Sequence, residues 1–278
     1  MTYQELIKIS KEKYKIDDKT IDYLIKHYFK LQEIDKSNNS KIDKEKVKDF
    51  KDKAELIKKG IPIQYVIGNV DFYGYEFNIK EGVLIPRFET EELIFYTKQY
   101  ILNYFNDNIS LIDVGTGSGV IGLSLKKEIP NLKATLIDIS FDAIELSKQN
   151  AKKLGVEVDI YKSDMLKEVI KKNKKYDVLI SNPPYLKEDE EIMDIVKKYE
   201  PETALYGGPD GLKYYDLILK DAKKILNDKA LIAFEIGADQ KEDLIALSQK
   251  YFKGTKYEVK KDLQGRDRMF FIFYNIFD

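Results

Sequence analysis

The chain has 278 residues, 43% hydrophobic and 34% charged, with 47 basic side chains set against 48 acidic ones for a net charge of -1. That composition suits a soluble folded protein with room for one large and one small domain, and it excludes a disordered chain; the near-zero charge gives no global field for holding a polyanion. With no cysteine in the sequence, disulfides, thiolate nucleophiles and Cys-ligated zinc or iron–sulfur centres are excluded, and a reducing compartment fits.

The opening stretch MTYQELIKISKEKYKIDDKT lacks the apolar region of a secretion signal, and no apolar run approaches the ~18 residues of a membrane span, so the cytoplasm is expected. Apolar residues then recur at helical spacing, at Ile21, Leu24, Ile25, Tyr28 and Phe29 and again at Val47, Phe50, Ala54 and Ile57. This predicts a small helical bundle over 1–62. Within it DKSNNSK reads as an interhelical loop, and KKGIP ends the last helix, with Gly60 as its cap and Pro62 blocking continuation. The single histidine, His27, lies in a charged helical stretch and reads as a surface or interhelical residue, not a catalytic base.

Over 63–86 the texture changes to aromatic and β-branched residues broken by glycines, QYVIGNVDFYGYEFNIKEGVLIP from Gln64 to Pro86. This predicts a hairpin or extended connector joining two domains. A helix is expected from about Thr90 to Tyr104, with Glu89, Glu91 and Glu92 near its positive end. Strands and helices alternate afterwards: LIDVG, a helix from Val120, ATLIDI, a helix over Phe141 to Leu154, VDIYKSD, YDVLISN, a helix near Leu212 to Leu226, ALIAFEIG, and a helix from Gln240. Alternation of this kind predicts an α/β domain over 87–278 with a parallel sheet covered on both faces. KYEVKKDL and RMFFIFYN are joined only by QGRD, too short for a helical crossover, so the chain should end in antiparallel pairing.

Two motifs carry chemistry. In DVGTGSGVIG a strand meets a helix through Gly115, Thr116, Gly117, Ser118 and Gly119, a turn whose backbone approaches a ligand closely and whose helix start offers free N–H groups. Gly117, Gly119 and Gly122 also spell the dinucleotide fingerprint, so NAD(P) is a competing cofactor and an oxidoreductase a competing reading. Asp113, Asp138 and Asp164, at the ends of three successive strands, suit in that order a cationic methionine moiety, a ribose diol and an exocyclic amine, and Met165 could cover an adenine ring. S-Adenosylmethionine satisfies that set better than NAD.

The second motif, Asn182, Pro183, Pro184 and Tyr185, directly follows the strand YDVLIS, on the edge where open α/β sheets bind ligands. Its prolines fix φ near about -65° and remove two backbone donors, leaving a rigid acceptor surface. The Asn182 side-chain oxygen and the Pro183 carbonyl can each take one N–H of a planar amino group while Tyr185 stacks on its plane, which aims the nitrogen at a methyl donor. No metal is expected. Such a site fits an amide or, as an alternative, the N6 amine of adenine in DNA or RNA; a non-catalytic ribosome-associated module is a further reading.

With these residues in place, the chain resembles the HemK/PrmC-type protein-(glutamine-N5) methyltransferases, which modify the glutamine of the GGQ motif in class I peptide chain release factors. GIPIQYVIG, DFYGYEFNIKEGVLIPRFETEELI, DVGTGSGVIGLSL, SNPPY, YEPETALYGGPDGLKYYDLIL and FEIG occur in that family's order over nearly the whole chain. The resemblance implies a Rossmann-like, seven-stranded SAM-dependent methyltransferase sheet, mostly parallel with its last strand antiparallel, a hairpin linker over 63–86, and an N-terminal bundle over 1–62 that helps recognise the release factor. It further implies that Gly115 to Gly119 and Asp138 hold S-adenosylmethionine, that Asp164 and Met165 flank its adenine, and that Asn182 to Tyr185 hold the glutamine amide, with S-adenosylhomocysteine as the other product. A monomer acting on protein and not directly on nucleic acid is expected. Arg87 should lie at the mouth of the site with Glu89 behind it, unless the two form a salt bridge at the domain joint. Two positions depart from the family: Phe88 stands where proline is usual and Met165 where a larger ring is often found.

Overall fold

The protein is described here as a computed structural model covering residues 1–29, 41–106 and 108–277. The side chains of His27, Tyr28 and Phe29 and the loop DKSNNSK up to Ser40 lie outside the described residues. The chain forms two compact units, Met1–Asn69 with Met193–Tyr199, and Val70–Ile192 with Glu200–Asp278.

In the first unit α1 (Tyr3–Glu12), α2 (Asp18–Phe29), α3 (Lys44–Lys58) and α4 (Ile63–Ile67) pack around Leu6, Tyr14, Ile21, Leu24, Ile25, Phe50 and Ala54. The start of α1 is fixed by a capping box, in which Thr2 Oγ1 accepts the Glu5 N–H at 3.2 Å and the Glu5 carboxylate accepts the Thr2 N–H at 2.9 Å, worth about 1 kcal/mol. The end of α3 is a Schellman turn: the Gly60 N–H donates to Ile57 O at 2.8 Å and the Ile61 N–H to Leu56 O at 3.2 Å, with Gly60 at φ 86°. Gln64 to Ile67, expected to be extended, is the helix α4. Pro62 stands at its N-cap and Gly68, at φ 82°, ends it, so a proline-start and glycine-stop pair outweighs β-branched composition over five residues.

From the unit boundary on, β1 (Asn69–Phe72), whose residues after Asn69 belong to the second unit, and β2 (Tyr75–Asn78) form a two-stranded sheet turned at Tyr73 and Gly74, both at positive φ, as a two-residue type I′ turn requires. The hairpin is fastened to the large domain by Asn150, whose Oδ1 accepts the Asn78 N–H at 2.7 Å and whose amino group donates to Asn78 O at 3.1 Å and Ser118 O at 2.8 Å. After α5 (Glu89–Tyr104) the chain alternates β3 (Ser110–Val114), α6 (Val120–Glu128), β4 (Lys133–Asp138), α7 (Phe141–Leu154), β5 (Asp159–Lys162), α8 (Lys167–Lys171) and β6 (Tyr176–Ser181). Past α9 (Asp194–Tyr199), which belongs to the first unit, come α10 (Lys213–Ala222), β7 (Leu226–Glu235), α11 (Lys241–Tyr251), β8 (Lys256–Lys261) and β9 (Asp267–Tyr274). The acidic run Glu188, Asp189, Glu190 and Glu191 leads into α9, a short helix with no buried residue.

The main sheet has seven strands in the order β5-β4-β3-β6-β7-β9-β8, all parallel except β9, which runs antiparallel between β7 and β8. Strand pleating divides its side chains. Ile112, Val114, Ile232, Phe234, Phe270 and Ile272 join Tyr215, Leu219 and Leu244 of α10 and α11 in one core. Phe271 and Phe273, one residue out of phase, meet the ring of Tyr100 on α5 edge-on at 4.8 and 5.1 Å. Burying each such aromatic contributes about 1.5–3 kcal/mol. Leu226, expected to extend α10, instead opens β7, because the chain turns at Asp221 to Ile225 and Ile225 O accepts the Tyr176 N–H at 2.8 Å. Strand order reverses between β3 and β6, so their carboxyl ends frame the crevice where such sheets bind ligands.

Candidate active site

A cavity of about 360 Å³ opens at that reversal, lined by both motifs. On the β3 side the turn is built by main-chain contacts: Ile137 O accepts both the Gly115 and Thr116 N–H groups at 2.9 and 3.0 Å, and Gly115, Gly117 and Gly119 all sit at positive φ. Asp138, at the end of β4, ties the turn to the next helix, since one carboxylate oxygen accepts the Gly117 N–H and the other the Ser140 N–H, each at 2.9 Å. Burial pushes its carboxyl above the usual range against those bonds. The Ser163 N–H donates to Asp138 O at 2.9 Å, which brings the turn carrying Asp164 and Met165 to the same rim. Gly115, Thr116, Gly117, Ser118, Asp138, Asp164, Met165 and Asn182 all line the cavity; Gly119 does not.

Asp113 is placed differently from its expected role. It is fully buried beneath the turn and absent from the cavity wall, and its Oδ2 accepts the Thr116 hydroxyl at 2.6 Å and the Gly122 N–H at 3.0 Å. Burial pushes it up to about 7, opposed by those two bonds and reinforced by Asp138. Asp113 therefore holds the turn from below through Oδ2, while its Oδ1 is buried without a hydrogen-bond partner.

Across the cavity, Asn182 and Pro184 line the wall while Pro183 and Tyr185 do not. Pro183 is buried, and the Tyr185 ring packs against the main core with its hydroxyl 3.5 Å from Glu235 Oε1 and 3.5 Å from Arg268 Nη1. The corner's backbone is gripped from outside by the YGGPDG loop. Leu186 exchanges main-chain bonds with Leu205 and Gly207 at 3.0 and 2.8 Å, and Gln240 Nε2 donates to Tyr185 O at 3.1 Å and Gly211 O at 3.2 Å. A Cβ at Gly207 would stand 2.6 Å from Pro184 O, and one at Gly211, already at φ 75°, would strike Tyr185 O. Only glycine fits at either place.

The set of groups fits an adenosyl cofactor: carboxylates for hydroxyl and amino donors, a backbone turn open to close approach, and an apolar wall including Val83, Ile139 and Leu217. Arg87 also lines the cavity, and it is held within this unit by Glu200, with Nη2 to Oε1 at 2.7 Å; Glu89 pairs with Arg266 at 3.0 Å. Phe88 is 76% exposed and its φ of -61° is one that proline also takes, so its presence leaves the loop path of a proline intact.

Over 223 residues the chain is 42% identical to the release factor glutamine methyltransferase of Bacillus subtilis, covering 79% of this chain and 77% of the relative. The chain belongs to the release factor glutamine methyltransferases. The corresponding protein of Clostridium acetobutylicum is 40% identical over 233 residues, 82% of this chain and 80% of its own. The family described as methyltransferase small domain matches residues 96–203. Among solved structures, the N-terminal domain of human METTL16 in complex with SAH covers 74% of this chain and 77% of its own at 18% identity and a TM-score of 0.53, a likeness of fold.

Sequence reasoning missed the polar groups behind the corner in this release factor glutamine methyltransferase. Thr90 on α5, Glu235 at the end of β7 and Arg268 on β9 meet Asn182 and Tyr185 although they are spread over much of the chain. The available signal was an acid closing the otherwise apolar strand ALIAFE, since a carboxylate at the end of a buried strand needs a partner.

Proposed function

We propose that this enzyme transfers a methyl group from S-adenosylmethionine to the side-chain amide nitrogen of the glutamine in the GGQ motif of class I peptide chain release factors. The observation that carries the reading is that the glycine turn and the Asn182–Pro184 corner face one cavity at the strand-order reversal, in a chain whose relatives are named release factor glutamine methyltransferase. Bound S-adenosylmethionine supplies a methyl on a sulfonium and leaves as S-adenosylhomocysteine. Asp138 would accept its ribose hydroxyls through lone pairs left over from Gly117 and Ser140, and Asp164 and Met165 would flank the adenine.

The rest falls to the corner. An amide nitrogen is a weak nucleophile because its lone pair is delocalised, and acceptors on both of its hydrogens draw density back to nitrogen. Asn182 Oδ1, in the cavity wall, is our candidate for one acceptor and the carbonyl of Pro183, buried between the two wall residues Asn182 and Pro184, for the other, and a rigid corner limits the orientations the nitrogen can take. As the N–C bond forms and the donor's S–C bond breaks, the positive charge passes from sulfur to the amide nitrogen, which makes its N–H strongly acidic, so that proton would leave to water without a strong base. We further assign the helices of the first unit to release-factor recognition and the enzyme to the cytoplasm as a monomer; among the described residues no helix is long and apolar enough to cross a membrane.

Mass spectrometry of a class I release factor incubated with enzyme and S-adenosylmethionine tests the reading. A gain of one methyl on the GGQ glutamine is expected, and methyl incorporated only into added nucleic acid would overturn it.

A further inference from the structure

We propose that Glu235, acting through Thr90, is a positioning residue that decides which end of the Asn182 carboxamide faces the substrate, and that the same carboxylate steadies Tyr185 through its other oxygen. The inference deepens the function proposed above and rests on it for its meaning in catalysis.

Glu235 closes β7 and is 1% exposed; it does not line the cavity, so it is neither a ligand to substrate nor a base. Register pairs Ser181 with Phe234, which sets the next residues, Asn182 and Glu235, side by side at the sheet edge. Thr90, 3% exposed, stands between them, its hydroxyl 2.5 Å from Glu235 Oε2 and 3.2 Å from Asn182 Nδ2. The direction of this chain follows from the chemistry of its members. An ionised carboxylate only accepts, so Thr90 must give it its one hydrogen. Toward Asn182 the hydroxyl then offers only a lone pair, which only the amino end of the carboxamide can answer. Asn182 Oδ1 is thereby turned away from Thr90 and left as an acceptor for the cavity, the polarity that a substrate NH2 group requires.

Neutralising Glu235 removes the constraint. A Gln at 235 can donate to Thr90, whose hydroxyl can then donate to Asn182 Oδ1, and a flipped Asn182 would meet the substrate donor to donor. On the other side, Glu235 Oε1 lies 3.5 Å from the Tyr185 hydroxyl, which is itself 3.5 Å from Arg268 Nη1. The first and last residues of the motif thus answer to one buried carboxylate. Four charged or titratable side chains bear on it from neighbouring elements: Arg268, Glu89, Tyr185, and Tyr215, whose hydroxyl donates to Glu235 O at 2.7 Å. Burial above all pushes the Glu235 carboxyl up to about 7, reinforced by Glu89 and opposed by Thr90, by Arg268 and, more weakly, by the Asn182 amino group itself, so the carboxylate favours the same orientation of the carboxamide directly as well as through Thr90.

The test uses Glu235→Gln, Thr90→Val and Thr90→Ser in the full chain. Turnover of the release factor should fall on the order of 10²-fold in Glu235→Gln and Thr90→Val, as for loss of an aligned polar contact, with KM and S-adenosylhomocysteine affinity within about threefold of wild type, whereas Thr90→Ser should recover most of the loss. Wild-type turnover should rise with pH through about 7, and Glu235→Gln should lack that limb. Turnover in both disruptive variants within about twofold of wild type would overturn the proposal, as would equal loss in Thr90→Ser and Thr90→Val. A second readout needs no turnover: in 15N-labelled enzyme loaded with S-adenosylhomocysteine, the Asn182 carboxamide protons should be protected from exchange and lose that protection in Thr90→Val. Absence of protection in the wild type would refute the positioning chain even if no release factor is methylated, so the two readings fail separately.

Discussion

Glu200 reaches back across the chain to Arg87, accepting its guanidinium at 2.7 Å with one oxygen and the Ile85 N–H at 3.2 Å with the other. Its side chain is 2% exposed while that of Arg87 is 36% exposed, so the carboxylate depends on this partner for its solvation. Arg87→Ala should destabilise the enzyme by about 2–3 kcal/mol, as expected when a buried charge is left with fewer bonds. Adding Glu200→Gln should return part of that loss, and chemical denaturation of the two single variants and the double variant measures it; strict additivity would show that the pair is not coupled.

Removing the Asn182 side chain should separate binding from chemistry. Asn182→Ala should fold, keep its S-adenosylhomocysteine affinity and lose methyl transfer by 10²-fold or more, on the order of an oxyanion-type contact. Calorimetry alongside a turnover assay checks this, and undiminished turnover would dismiss the acceptor role.

Asp138→Ala should do the reverse. The carboxylate now holds the Gly117 and Ser140 N–H groups, so its loss loosens the glycine turn and removes an acceptor for the cofactor. A loss of about 10- to 100-fold in S-adenosylhomocysteine affinity is expected from charge-assisted bonds of about 1.5–3 kcal/mol. Titration calorimetry reads it directly.

Gly207→Ala should displace the corner without touching the cofactor wall. Its Cβ would stand 2.6 Å from Pro184 O and 2.7 Å from Gly211 O, and relief of such overlap costs about 1–3 kcal/mol. Turnover should fall well before cofactor affinity does, and a crystal structure of the variant should show Pro184 shifted outward.

Stability should fall as pH rises from about 5 to 7. Asp113 and Glu235 are both held up to about 7, from ordinary values of 3.8 and 4.5. Below their ordinary values both are protonated folded or unfolded; between those values and about 7 the folded chain keeps protons that the unfolded chain has released, so the stabilisation drains away as pH climbs. The paired carboxylates Glu128, Asp216, Glu258 and Asp262 are lowered and act below this window, in the opposite sense. Denaturation midpoints at pH 5.5 and 7.5 should differ less in Asp113→Asn than in wild type.

What could be read beforehand was what is local in sequence. The glycine turn, the β-strand runs and the Asn182–Tyr185 corner each lie within a few residues, and the antiparallel end followed from the shortness of QGRD. Asp113 stands at a strand end, where the sequence predicts a carboxylate facing the ligand, yet its Oδ2 folds under the turn to take the Gly122 N–H; alternation along a strand does not say which way the last acid bends. Thr90, Glu235 and Arg268 were not legible as a group, since their bonds span up to 145 residues and exist only once α5, β7 and β9 are assembled. Gly207 and Gly211 were visible as part of a motif, but their reason, direct contact with Pro184 and Tyr185, is a fact of packing.

That last contact bears on how such an enzyme can diversify. Where main chain rests on main chain there is no side chain to exchange, so the seam between the YGGPDG loop and the corner offers natural selection little to vary by degrees. Lineages that drift toward a different target must do so at neighbouring positions and inherit the seam whole.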